Sequence, residues 1–212
     1  MRDADLFLFQ EVVHTHDGPS VAEEAAKSLG HHAAFAASAP GVYDQGLGVV
    51  SRYPISGVAV KRLKVCDLGF RCRTRFAISA VVHTPWADLN VWNVHLDTRV
   101  NARERLEQLQ PVIDDAVKRP GPVLIGGDFN TNDLYWVRNV FPLPGGPSHG
   151  AVIQDAMKKH GFETPHGPGL KTYPTFSRHL DWMFTRGVTP VTSSVEPAKF
   201  SDHKAVWLRV RV

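Results

Sequence analysis

At 212 residues the chain is long enough to bury a sizeable core within one domain. Its 43% hydrophobic and 21% charged residues exclude a disordered chain, and no apolar run reaches the roughly 18 residues of a membrane-spanning helix. A net charge of +3 and a pI near 9.0 suit a polyanionic partner, but many metabolic proteins are equally basic, so charge alone selects no function.

Met1-Arg2-Asp3-Ala4-Asp5 lacks the basic-then-apolar layout of a secretory signal, and the expectation is a cytoplasmic protein. Leu6-Phe7-Leu8-Phe9 reads as a buried strand that delivers Gln10-Glu11 at its carboxyl end. Asp17 is a candidate cap for a helix in which Val21, Ala22, Ala25, Ala26 and Leu29 recur at helical spacing until Gly30 stops it. Residues 31–37 and 47–50 read as strands, and Pro54 limits pairing beyond the second. Cys66 and Cys72 read as two free thiols, with a small loop-closing disulfide as the alternative in an exported protein.

Residues 76–83 and 89–96 are strand-like runs separated by Thr84-Pro85-Trp86-Ala87-Asp88, which predicts an antiparallel hairpin. From 99 to 118 the period becomes helical through Leu106, Leu109, Val112, Ile113, Ala116 and Val117, with Pro111 expected to kink or divide the helix. Residues 123–127 form another buried strand that runs into Asp128-Phe129-Asn130. Residues 141–150 read as a loop, followed by a short helix through Val152, Ile153, Ala156 and Met157 and a turn-rich stretch over 161–176. Residues 180–184 and 205–212 read as closing strands. No internal repeat or linker divides the chain, so residues 1–212 are expected to form a single domain.

Gln10-Glu11, Asn93-Val94-His95, Asp128-Phe129-Asn130, Leu180-Asp181-Trp182 and Ser201-Asp202-His203 share one layout: polar or ionisable residues at or beside the end of an apolar run. Strand ends and the loops beyond them are where a rigid scaffold builds sites. Each has a plainer reading. Glu11 can be a surface carboxylate ending a strand, His95 a hydrogen-bonded core histidine, Asp128 and Asn130 an Asx turn, Asp202-His203 a turn cap, and Asp181 the partner of a buried backbone group. Taken together, clustered carboxylates repel one another unless a cation lies among them.

In this order, Gln10-Glu11, Gly48-Val49-Val50-Ser51-Arg52-Tyr53-Pro54-Ile55, Asn93-Val94-His95-Leu96, Gly127-Asp128-Phe129-Asn130, Leu180-Asp181 and Ser201-Asp202-His203 resemble the endonuclease/exonuclease/phosphatase superfamily, the DNase-I-like metal phosphoesterases. The resemblance covers nearly the whole chain. It implies a four-layer αββα sandwich of two mixed, mainly antiparallel sheets flanked by helices. It also implies Glu11 and Asp202 as ligands of Mg²⁺ or Mn²⁺, ions that favour oxygen donors. Asp128 would orient or deprotonate the attacking water, Asn130 would donate to the phosphate, and His95 would be a transition-state donor or general acid. His203 would contact the phosphate or share base duty, with Asp181 accepting its other ring proton. Arg52 and Arg75 are further phosphate contacts.

Members of the superfamily begin with an extra strand ending in Asn, and this chain, which starts a few residues before Gln10-Glu11, reads as N-terminally short of it. An exposed strand edge is the expected consequence. The implied activity is hydrolysis of a phosphodiester or phosphomonoester in nucleic acid, a small phosphate or a phospholipid headgroup. The rival is a catalytically impaired phosphate-binding or interaction protein on the same fold. The loops over 141–150 and 161–176, with His149, His166, Lys171, Tyr173 and the neighbouring Arg178, are expected to frame the substrate. The eleven histidines include no His-x-x-x-His pair on a predicted helix, which disfavours a transition-metal site built from them.

Overall fold

The apolar runs from the middle of the sequence become the centre of a five-stranded sheet. β5 (Phe76–His83) and β6 (Asp88–His95) pair antiparallel, as the hairpin spacing predicts. β6 pairs in parallel with β7 (Val123–Asp128), reached through helix α2 (Ala102–Ala116). β10 (Asp181–Arg186) and β4 (Ile55–Arg62) complete the order β10-β7-β6-β5-β4. Sheet faces covered on both sides read as continuous apolar runs, and Val91, Val94, Val123 and Ile125 are fully buried.

A second sheet has the order β1-β3-β2, from β1 (Leu6–His14), β3 (Asp44–Ser51) and β2 (His32–Ala37), all antiparallel. Ala34, Leu47, Val49, Phe76 and Ile78 form the apolar layer between the sheets, with Leu6 and Leu8 packed onto it. Helix α1 (Val21–Leu29) covers the other face of the three-stranded sheet through Ala22 and Ala26. α2 and α3 (His149–Lys159) cover the five-stranded sheet with Leu109, Val112, Ile113, Ile153 and Met157. Two main sheets between helical layers are thus the architecture implied by the resemblance. The computed structural model describes residues 4–14, 18–37, 44–66, 75–167, 169–199 and 201–212.

Several local expectations change. α1 is capped by Ser20, whose hydroxyl accepts from Glu23 N at 3.3 Å while the Glu23 carboxylate accepts from Ser20 N at 2.7 Å. Asp17, Cys72 and the first three residues lie outside the described residues, and Cys66 is a free thiol. β1 does not stop at Gln10-Glu11 but continues to His14 past a bulge. α2 runs unbroken through Pro111. Proline there forgoes the bond to the Glu107 carbonyl, a cost of about 3 kcal/mol, and complete burial of Leu109, Val112, Ile113 and Ala116 outweighs it.

Four strands are additional to those expected: β4 directly after Pro54, β8 (Tyr135–Val137) and β9 (Phe141–Leu143), a small hairpin whose second strand falls in the expected loop over 141–150, and β11 (Thr189–Pro197). β11 pairs with β12 (Lys204–Arg211) in a separate two-stranded ladder. Among the described strands, β1 is an edge of its sheet.

Candidate active site

Strand register sets the first three groups side by side. β6 pairs with β7 so that His95 lies opposite Asp128, and β7 pairs with β10 so that Asp128 lies opposite Asp181. Neighbouring strands are about 4.8 Å apart, so aligned positions meet across the sheet end. His95 Nε2 stands 3.5 Å from Asp128 Oδ2. The close approach of β6 and β7 depends on Gly127, whose φ is 137° and where an added Cβ would fall 2.1 Å from the Val94 carbonyl oxygen.

Beyond β7 the chain turns sharply. Asn130 has a φ of 53°, and its backbone N–H donates to Asp128 Oδ1 at 2.8 Å, which is the Asx turn anticipated as the plain reading of this pair. The turn and a site role coexist, because the turn holds Asp128 in place. Asn130 Nδ2 donates to the Leu96 carbonyl at 2.9 Å and to Asp128 Oδ2 at 3.1 Å. Both amide protons are therefore directed at the protein, and donation to a phosphate requires one of them to be released.

The fourth group comes from the turn before β12. The Thr172 hydroxyl accepts from the N–H groups of Leu180 and Asp181, and Lys204 N donates to the Thr172 carbonyl at 2.7 Å. This buried threonine joins the starts of β10 and β12, and His203 Nδ1 lies 2.8 Å from Asp181 Oδ2. Burial by itself lowers the affinity of His203 for a proton. The Asp181 hydrogen bond and the charges of Asp181, Asp128 and Asp202 outweigh it and raise the pKa to about 9. Asp128 is raised to about 7, first by burial and then by the Asp181 charge, against the opposing pull of His203.

Glu11 arrives from the other sheet. The β1–β3 register shifts between Phe9 and Val12, and Glu11 adopts a φ of 53° in this bulge, which turns it outward. Its neighbour Gln10 donates to Asn93 Oδ1 at 2.6 Å. Asn93, fully buried on β6, donates in turn to the carbonyls of Phe9 and Gly48 at 2.8 and 2.9 Å. The Asn of the Asn-x-His segment thus ties the two sheets together beneath the bulge.

Glu11, His95, Asp128, Asn130, Asp181, Asp202 and His203 all line one groove of about 1250 Å³. Arg75 lines it as well, its Nε donating to Asp97 Oδ1 at 2.8 Å. Arg52 does not line it: its guanidinium pairs at the surface with Asp5 at 2.9 Å. Tyr173 and Arg178 are in the groove wall, whereas His149 and His166 are buried and Lys171 is not part of the lining.

The sequence reading missed Asp97, which is buried between Arg75 and Gln108, and it missed Arg99, Trp136 and Phe176 in the groove wall. Arg105 and Gln108 were legible as polar residues on the same helix face as Leu109 and Val112, the sign of buried polar work inside an apolar stripe.

The donor chemistry fits a hard divalent cation. Asp128, Asp181 and His203 offer ligand atoms within 4.8 Å of one another, the one such group of three or more among the described residues. Glu11 and Asp202, the ligands the resemblance implies, line the same groove but lie outside that close group. Of the five carboxylates that line the groove, Asp97 is paired with Arg75, and burial together with the Asp181 charge holds the pKa of Asp128 up to about 7, a repulsion that a cation between the two would relieve.

Comparison with known proteins bears on the family and the fold. The model of the Endonuclease/Exonuclease/phosphatase family matches residues 1–203. A UPF0294 protein of Yersinia pseudotuberculosis is 31% identical over 97 residues, which are 46% of this chain and 32% of that protein, so the chain spans about a third of the curated relatives it matches. An endonuclease/exonuclease/phosphatase from Beutenbergia cavernae superposes with a TM-score of 0.75 at 21% identity, covering 98% of this chain and 62% of that one. A 3′ phosphatase from Neisseria, solved with product DNA hairpin, gives 0.66 at 17% identity over 100% and 90% of the two chains. ANGEL2, a 2′,3′-cyclic phosphatase, gives 0.58 at 15% over 90% and 72%. At these identities the structural likeness is one of fold.

Proposed function

Because the chain belongs to the endonuclease/exonuclease/phosphatase family, we propose that it is a divalent-metal-dependent phosphoesterase that hydrolyses a phosphodiester by in-line attack of water. The observation that carries this reading is the aligned row His95, Asp128 and Asp181, with His203 bonded to Asp181, in one groove with Glu11.

Glu11 and Asp202 would hold Mg²⁺ or Mn²⁺, with Asp128 and Asp181 in reach of the same charge. The bound ion supplies neutralisation of the phosphoryl oxygens as charge develops on them. Asp128, with a proton affinity near neutrality, is suited to accept a proton from the attacking water. His203, protonated at neutral pH through Asp181, offers a cationic N–H to a phosphoryl oxygen. His95, adjacent to Asp128, would donate toward the leaving oxygen. Arg75, steadied by Asp97, adds a guanidinium to the groove. Asn130 acts first by holding Asp128. The 3′ phosphatase and 2′,3′-cyclic phosphatase among the structural neighbours, together with the basic pI, make nucleic acid or nucleotides the substrates to try first.

The reading is tested by hydrolysis of bis-p-nitrophenyl phosphate with and without Mg²⁺ or Mn²⁺, in the wild type and Asp128→Ala. Metal-dependent turnover that the substitution removes is the expected result. Equal rates in the two proteins would overturn the mechanism, and phosphate binding without turnover would instead establish the impaired relative of the fold.

A further inference from the structure

Arg105 is fully buried on α2, and no step above uses it. A buried guanidinium is costly unless its donors are matched, and here they are matched to the backbone of two strand-end loops. Nη1 donates to the Asp97 carbonyl and, at 2.8 Å, to the Phe129 carbonyl. Nη2 donates to the carbonyls of Thr98 at 3.4 Å and Val100 at 3.1 Å. Nε donates to His149 Nδ1 at 3.4 Å, at the start of α3. His149 must therefore be neutral, and burial with the nearby Arg105 charge holds its pKa down to about 4.

Asp97, Thr98 and Val100 belong to the loop that follows His95. Phe129 stands between Asp128 and Asn130. Its N–H donates to the Leu180 carbonyl at 2.9 Å while its own carbonyl accepts from Arg105, so the peptide that carries the Asx turn is held from both sides. Gln108, one turn along the same buried face, donates to Asp97 Oδ2 and accepts from Asp97 N, which steadies the carboxylate that holds Arg75.

We propose that Arg105 is a positioning residue: one buried guanidinium ties the loop after β6 to the loop after β7 and so sets His95 against Asp128 and Asn130. The proposal rests on the phosphoesterase reading for its kinetic consequence and on the hydrogen bonds alone for its structural one. A displacement of about 1 Å between reacting groups costs on the order of 10²-fold in rate, and a lysine in place of Arg105 can satisfy at most three of the acceptors.

The experiment compares wild type, Arg105→Lys and Arg105→Met with bis-p-nitrophenyl phosphate and Mg²⁺, alongside amide hydrogen exchange and inorganic phosphate binding. The expected result is a fall in kcat of about 10²-fold in both variants, with KM and the phosphate Kd within about threefold. Exchange should accelerate at the amides of 96–100 and 129–131 and stay unchanged in the β4–β5 ladder. Unchanged kcat per folded molecule, or uniformly faster exchange across all strands, would overturn the proposal. If neither variant folds, the wild type decides: separately resolved Arg105 Nη resonances that shift on adding Mg²⁺ and phosphate support the clamp, and one averaged Nη line contradicts it. Since the exchange readout needs no turnover, failure of the clamp and failure of the phosphoesterase reading are told apart.

Discussion

The five-stranded and three-stranded sheets bring their groups to the groove in different ways. His95 and Asp128 sit on core strands at 8% and 7% exposure, aligned by the register of parallel and antiparallel ladders and backed by Trp182, Phe129 and Phe184. Glu11 lies exposed in the bulge of an edge strand, and Asp202 lies exposed in the turn before β12. β1 is half-buried along most of its length, and so is β12. The groups proposed for the chemistry are on the packed side, where side chains have one arrangement. The carboxylates assigned to the cation are on the open side, where an ion can draw them into place.

The largest effect expected from this contrast is at Asp128. Its replacement by alanine should lower turnover by about 10²–10⁴-fold, read as initial rate at saturating metal. A loss under tenfold would mean that the packed side does not carry the chemistry. Next is Asp181→Asn, which leaves the shape of the row but removes the charge that holds His203. Turnover should fall about 10–100-fold, and the His203 ring protons, followed by NMR, should titrate well below the wild-type pKa near 9.

The sign of the stability change follows from that same pair. His203 has a folded pKa near 9 against an ordinary 6.5, so its pairing stabilises the metal-free fold fully below pH 6.5 and is lost as pH rises through 9. The difference in denaturation midpoint between wild type and Asp181→Asn should therefore shrink from pH 6 to pH 10. A gap that widens over this range would contradict the assignment.

Packing supplies a smaller and more general contrast. Ile125→Ala, at a fully buried site in the five-stranded sheet, should cost about 2–5 kcal/mol by denaturant unfolding. Leu6→Ala, on half-buried β1, should cost less than half as much. Equal costs would show that the two sheets are equally well packed. The smallest effect belongs to Arg52→Ala, whose exposed ion pair with Asp5 is worth at most about 1 kcal/mol and whose loss should leave turnover within twofold.

Much of the packed side was legible in the sequence because its strands are continuous apolar runs with hairpin or helix connections between them. The 76–83 and 89–96 runs paired as read, and the Asp128, Asp181 and His203 segments met in one groove. The edge strands were less legible. β4 follows a proline, contains Gly57 and exposes Val58 and Val60, so it lacks an inward-outward alternation, and its identity comes from pairing with β5. β11 carries a proline at each end region and mostly polar residues between them, and only its partner β12 makes it a strand. Pro111 misled in the opposite direction, since local propensity pointed to a break and tertiary burial overrode it.

Within the groove, sequence order named residues that the fold brings together but not what holds them. Asn93 was grouped with His95 as a strand-end polar residue, whereas its side chain bridges the sheets beneath Gln10 and Glu11. Asp97 and Arg105 were passed over because their partners, the Arg75 and Gln108 side chains for the first and backbone carbonyls for the second, leave no motif. Arg52 fell within a matching segment yet faces Asp5. Partners distant in sequence are set by register and bulges, which a linear pattern does not encode.

The central claim, that the open sheet completes a metal-dependent site begun by the packed one, is tested most directly by the rate of bis-p-nitrophenyl phosphate hydrolysis across a Mg²⁺ series in wild type and Glu11→Gln. The account predicts a wild-type rate that rises with Mg²⁺ and falls to background in chelator, and a Glu11→Gln protein that needs at least about tenfold more Mg²⁺ for half-maximal rate, equivalent to about 1.4 kcal/mol of lost binding. A wild-type rate indifferent to chelator, or two superimposable Mg²⁺ curves, would contradict it.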